Sequence, residues 1–286
     1  MVSEKNFGII GGDMRQFYLA KSLVADGNNV LLCEFEKLDF EDEIIKNSSI
    51  ETVIESSEYV IFPIPITRDG KSINAPFSYK KIDLDEKLYN LLKNKKVFGG
   101  IISLIKKEVK NLAIYIKDYY REDFMILNAI PTAEGAVKVA FDECKKTINK
   151  SKCLVTGYGR VGKILAELLK NMGAEVTVSA RKSEDRAWID ASGYKFININ
   201  NDPLNFDIIF NTVPAQIFNY DMLMRCQKET VIIDLASEPG GVDKESAKKL
   251  GIKSVQALGL PGKFFPETAG EIIKTTIYKI IEEESL

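Results

Sequence analysis

Short apolar runs at residues 7–10, 30–33, 59–62 and 96–98 recur through the first part of the chain, set off by glycine, asparagine, proline or charged residues. Runs this short and this continuous predict strands covered on both faces. Residues 15–26 and 102–116 instead repeat their apolar positions at the period of an amphipathic helix. A second series follows, with strands at 152–156, 175–179, 208–211 and 231–235, one more at 253–257, and a helix at 163–172. Strands separated by helices predict parallel sheets with crossover connections. The expected class is α/β, with two open parallel-sheet domains, the second a Rossmann unit, and a cleft between them.

The first series ends at Asn128-Ala129-Ile130-Pro131-Thr132-Ala133-Glu134-Gly135. Pro131 biases Ile130 towards extended backbone and Thr132 can cap a following helix, so residues 133–149 predict a helix that bridges the domains. The expected division is an N-terminal substrate or partner domain at 1–130 and a cofactor domain at 131–266. A terminal helix at 267–286, opened by Pro266-Glu267-Thr268 and apolar-periodic over 272–281, is expected to pack back on the first domain. Residues 68–78, with Gly70, Asn74 and Pro76, form the longest loop-like stretch.

Composition narrows the partners. The chain has 286 residues, 45% hydrophobic and 28% charged, with a net charge of −2, which gives no electrostatic footprint for nucleic acid. The four cysteines, Cys33, Cys144, Cys153 and Cys226, lack metal-ligand spacing and there is no histidine, so no metal site is expected and free thiols fit a reducing compartment. The N-terminal residues resemble neither a signal peptide nor an anchor, and no apolar run approaches membrane length. A cytoplasmic protein with no membrane partner is the expectation; homo-oligomerisation is left open.

The strongest chemical signal is Gly157-Tyr158-Gly159-Arg160-Val161-Gly162, which follows one predicted strand and opens a helix that another strand follows. That context is what a dinucleotide fingerprint needs: a tight turn, a close backbone approach to the pyrophosphate, and close helix-to-strand packing. Where NAD-specific units place a carboxylate, this chain has Ser179-Ala180-Arg181-Lys182-Ser183. Arg181 and Lys182, with Ala180 before them, suit a 2′-phosphate, so NADP is preferred over NAD. Two loops after later strands, carrying Thr212, Val213 and Pro214 and then Ala236, are expected beside the ribose and nicotinamide.

In the first domain, Gly11-Gly12-Asp13-Met14-Arg15-Gln16 lacks the dinucleotide spacing, but its amides and the Arg15 guanidinium suit a substrate carboxylate. The same residues also fit a plainly capped helix. Thr132 and Lys263, in Gly259-Leu260-Pro261-Gly262-Lys263, are further candidates to bind substrate. Without histidine, Asp13 and Glu134 are the candidate proton acceptors.

Taken together, the Gly11 to Gln16 block, Pro131-Thr132-Ala133-Glu134-Gly135, the Gly157 motif, Asp234-Leu235-Ala236-Ser237-Glu238-Pro239-Gly240-Gly241 and Gly259-Leu260-Pro261-Gly262 resemble the dipicolinate synthase A-subunit family. Their order and spacing cover nearly the whole chain. The resemblance implies NADP-dependent oxidation of dihydrodipicolinate or 4-hydroxytetrahydrodipicolinate to dipicolinate, in the mother cell of a sporulating bacterium, with the synthase's flavoprotein-like B-subunit for partner. It implies a cyclic dicarboxylate that loses water and then hydride to reach an aromatic ring. Two other readings stay open: an NADP-binding scaffold or regulatory subunit for a catalytic partner, and another two-domain NADP dehydrogenase, whose Lys-Asp pair is not evident here.

Overall fold

The computed structural model describes residues 4–38, 46–106, 111, 115–237 and 239–284. It separates into two compact units, one made of Met1–Met125 with Phe265–Leu286 and the other of Ile126–Phe264.

The first unit is a parallel sheet of β1 (Asn6–Ile10), β2 (Asn29–Cys33), β3 (Lys46–Asn47), β4 (Tyr59–Ile61), β5 (Lys96–Gly99) and β6 (Lys117–Asp118). Their spatial order is β3-β2-β1-β4-β5-β6. The continuous apolar runs are explained by burial on both faces. Phe7 and Ile9 enter one core with Leu19, Leu23 and Ile277, while Ile10 enters the other with Val53, Val60 and Leu88. The helices supplying these layers are α1 (Met14–Ala25), α2 (Ile50–Ser56), α3 (Glu86–Leu92) and the terminal Pro266–Glu283. Of the helix predicted at 102–116, Ile102–Leu104 form a short 3-10 turn and Asn111 and Tyr115 are helical; residues 107–110 and 112–114 lie outside the described residues.

The second unit repeats the plan with β7 (Lys152–Thr156), β8 (Glu175–Ser179), β9 (Lys195–Phe196), β10 (Ile208–Asn211), β11 (Val231–Asp234) and β12 (Lys253–Gln256). The order β12-β11-β10-β7-β8-β9 makes it the same doubly wound topology, all pairs parallel. Reversal of strand order between β10 and β7 puts the loops after those strands at the edge where such sheets bind ligands.

One helix departs from expectation. α4 runs unbroken over Glu122–Glu143 with Pro131 inside it, rather than starting near residue 133 and reaching 149. Proline forfeits its own amide hydrogen bond, yet the Thr132 hydroxyl donates to the Asn128 carbonyl at 2.7 Å in the adjoining turn. Thr132 is therefore not a cap. Ala133, Ala136, Val137 and Ala140 carry the helix into the core of the second unit, and Gly135 lets it approach Leu260 more closely than a Cβ would permit. By length and composition α4 passes for a membrane span, but half of that stretch is buried inside the protein. The remaining helices of this unit are α5 (Arg160–Asn171), α6 (Ser183–Ala191), α7 (Tyr220–Leu223), α8 (Lys244–Leu250) and α9 (Leu260–Phe264).

The terminal helix, α10 (Pro266–Glu283), begins at Pro266, one residue before the expected start. It lies on α1 in the first unit, tied to the end of α1 by the ion pair from Lys274 to Asp26, while Glu271 pairs with Lys274 within α10 itself. Gly270 is the point of closest approach: a Cβ there would stand 2.7 Å from the Leu19 amide nitrogen and 2.8 Å from the Arg15 carbonyl oxygen. Alanine would gain roughly 1 kcal/mol of helix propensity over glycine, but neither backbone atom can yield without separating the helices. Gly270→Val is therefore expected to lower unfolding free energy by about 1–3 kcal/mol. Urea denaturation measures this, and an unchanged midpoint would contradict the packing described.

Candidate functional site

The turn after β7 is built by three glycines with different tasks. Gly157 has φ 90°, a backbone state costly for any side chain, and its amide donates to the Ser179 carbonyl at 2.8 Å. Gly162, one turn into α5, is buried, and a Cβ on it would penetrate the Gly157 carbonyl oxygen. Gly159 is the reverse case: exposed, with nothing within 4 Å of where a Cβ would stand. It is also the N-cap of α5 and offers no side-chain cap. The first amides of a 12-residue helix thus open towards the space left by Gly159, an arrangement that fits a pyrophosphate. Arg160 and the half-buried Val161 occupy the first turn. Tyr158 contributes backbone only, since its ring is buried against Tyr194 at 6.1 Å.

At the end of β8, the Ala180 carbonyl accepts from Arg186 at 3.3 Å, and Arg181 and Lys182 stand exposed. The sheet edge here therefore carries two cations and no carboxylate before α6 begins at Ser183.

Behind the glycine turn lies a polar brace that the local motifs do not reveal. Thr156, Asn211 and Asp234 each end an apolar strand and are almost wholly buried. The Thr156 hydroxyl donates to Asn211 Oδ1 at 2.7 Å, and Asn211 Nδ2 donates to Asp234 Oδ1 at 2.8 Å. The Asp234 carboxylate also receives the amides of Gly241 at 2.8 Å and Ala236 at 3.2 Å. Thr212 donates its hydroxyl to the Thr156 carbonyl at 2.8 Å and abuts Gly157. Of the residues expected beside the nicotinamide, Pro214 is exposed, Thr212 and Val213 are half-buried, and Ala236 is buried with its amide engaged. Glu238 lies outside the described residues. Asp234→Ala would strand several buried donors at about 1–3 kcal/mol each. The expected loss is about 3–5 kcal/mol of stability in urea unfolding, and a loss below roughly 1 kcal/mol would mean the brace is not structural.

In the first unit, Asp13 caps α1 in a reciprocal capping box with Gln16. Its carboxylate also receives Arg15 Nε at 2.9 Å and Nη2 at 2.8 Å. Arg15 Nη2 reaches the Ile64 carbonyl as well. Burial alone would raise the Asp13 pKa, but the hydrogen bonds and charge of Arg15, with a contribution from Arg68, outweigh it and hold the carboxyl below its ordinary value. A carboxylate kept ionised in this way is a weak proton acceptor. The expected amide cradle is also absent: Gly11 donates to Cys33, Gly12 to Asn74 and Asp13 to Gln16. A substrate carboxylate here would have to meet guanidinium groups instead.

Around this loop the chain is tightly ordered. Asp118 accepts the amides of Ile101, Ile102 and Tyr120 at 2.8–3.1 Å. Tyr119, whose phenol burial pushes far up, donates to the Phe62 carbonyl at 3.0 Å. Glu134 is exposed within α4 rather than in its first turn. Lys263 is exposed on α9, 4.8 Å from the Phe264 ring centre.

Two family models match successive parts of the chain. Residues 6–120 match the model of the N-terminal domain of the dipicolinate synthase A-subunit, and residues 131–248 that of the D-isomer specific 2-hydroxyacid dehydrogenase, NAD binding domain. The dipicolinate synthase A-subunit of Bacillus subtilis (strain 168) is 32% identical, with 99% of this chain and 98% of the relative covered. The crystal structure of the B. subtilis dipicolinate synthase A chain superposes with a TM-score of 0.83 at 30% identity, over 99% of this chain and 97% of that one. That of the Bacillus halodurans A-subunit gives 0.81 at 30% identity, over 98% of each.

Proposed function

The chain belongs to the dipicolinate synthase A-subunit family, and from that premise we propose that it oxidises a dihydrodipicolinate-type substrate, dihydrodipicolinate or 4-hydroxytetrahydrodipicolinate, to dipicolinate with NADP. Its second unit is a dehydrogenase-type NAD-binding domain. The observation that carries the reading is the open Gly159 position at an uncapped helix start, with Arg181 and Lys182 in place of a carboxylate after β8. The amides at that start hold the pyrophosphate, and the two cations meet the 2′-phosphate. When bound, the cofactor supplies a hydride acceptor.

The residues of the first unit are assigned the dicarboxylate, through Arg15. Because loss of hydride completes an aromatic ring, orientation carries most of the rate and a strong base is not required. The partner is the flavoprotein-like B-subunit of the synthase, and the setting is the cytoplasm of a sporulating mother cell. One observation favours a second reading, a cofactor-binding scaffold for a catalytic partner: Asp13 is engaged by Arg15 and Glu134 is exposed, so neither is set as a base.

The test incubates the purified chain with freshly generated 4-hydroxytetrahydrodipicolinate and NADP, with and without the flavoprotein-like partner, while pyridine absorbance is followed. Turnover by the chain alone is expected. Turnover only with the partner supports the scaffold, and none in either arm overturns the proposal.

A further inference from the structure

Asn74 is a buried junction at the C-terminal edge of the first sheet. Its carbonyl accepts the Gly12 amide at 2.9 Å, its amide donates to Ile66 at 2.9 Å, and its Nδ2 donates to Pro65 at 3.2 Å. Its remaining oxygen, Oδ1, accepts Arg68 Nε at 3.1 Å. Arg68 is thus an exposed cation fixed by a neutral amide rather than by a carboxylate. Nearby carboxylates are engaged elsewhere: Asp69 accepts the Lys71 and Ser72 amides and pairs with Lys81, and Asp13 holds Arg15. Arg68 nonetheless lies close enough for its charge to act on Asp13.

Both guanidiniums are anchored by one side. Arg15 uses Nε and Nη2, and Arg68 uses Nε. Among the described residues, Arg15 Nη1 and both terminal nitrogens of Arg68 have no protein acceptor. The free terminal pair of Arg68 is a bidentate donor for a carboxylate, and Arg15 offers Nη1 alone.

We propose that Arg68, oriented by Asn74, is a substrate-recognising residue that takes one carboxylate of a compact dicarboxylate while Arg15 takes the other. The proposal rests on the dicarboxylate reading above and names the residue that would tell two carboxylates from one.

Arg68→Met and Arg68→Lys variants of the full chain are compared with wild type for KM and kcat in the NADP assay. Calorimetric binding of pyridine-2,6-dicarboxylate and pyridine-2-carboxylate is measured on the same proteins, with the thermal midpoint as a control on folding. Arg68→Met is expected to raise KM by about 10-fold or more with kcat changed far less, and to abolish the preference for the 2,6-dicarboxylate, as loss of a charge-assisted pair requires. Arg68→Lys should recover part of both, and the thermal midpoint should not move. Unchanged KM and preference overturn the proposal even if wild type turns over. If wild type has no turnover but prefers the dicarboxylate in an Arg68-dependent way, the role of Arg68 stands and the reaction assignment falls. If wild type binds neither pyridine acid, both fall.

Discussion

Gly162→Val is expected to abolish measurable dinucleotide binding and to destabilise the second unit. In a plain helix, replacing glycine raises stability. Here the first added carbon would overlap the Gly157 carbonyl oxygen and stand 3.0 Å from its carbon, both of them backbone. Relief requires α5 to move off the turn, which carries the helix-start amides away from where they would meet the pyrophosphate. Overpacking adds about 1–3 kcal/mol of destabilisation. Gly159→Ala supplies the contrast. Its Cβ meets no protein atom within 4 Å and its φ of −82° is open to any residue, so the thermal midpoint should hold while affinity falls, because the methyl occupies the pyrophosphate's approach. Calorimetric titration with melting curves on both variants decides the matter. Normal affinity in Gly159→Ala would show that the phosphates do not approach there.

That contrast also shows why the glycine turn was legible in the sequence and other parts of the molecule were not. Turn, close approach and helix packing are all local demands, so they leave a local motif. The brace behind it is non-local. Thr156, Asn211 and Asp234 come from three strands that meet only in the folded sheet, and the signal available was that each is a polar residue closing an apolar run. The first unit has the same strand order as the second, but its turn lacks the fingerprint, and β3 and β6 are two residues long, too short to show a period. Pro131 was misleading for a physical reason. It removes one amide from a helix whose packing against the second core, through Ala133, Ala136 and Ala140, is left intact. The Gly11 and Gly12 amides looked available because their acceptors, Cys33 and Asn74, are distant in sequence.

Cofactor choice is the second large effect. Arg181→Ala with Lys182→Ala is expected to weaken NADP binding by about 10- to 100-fold while leaving NAD within about 3-fold, as loss of charge-assisted contacts to a 2′-phosphate implies. The lower bound applies at high salt, since both cations are exposed and screening acts on them fully. The next acidic residues along the chain, Glu184 and Asp185, lie in the first turn of α6, where they are favourably placed for the helix dipole. They are past the end of β8, the position from which a carboxylate holds the ribose 2′-hydroxyl in NAD-specific units. Arg181→Asp restores a carboxylate nearer to it and should move preference towards NAD. Titration of both cofactors into wild type and variants at two ionic strengths separates the possibilities. Tighter NAD binding by wild type, or equal losses for both cofactors in the double variant, would remove the 2′-phosphate from the explanation and leave Arg181 and Lys182 as solvated surface charges.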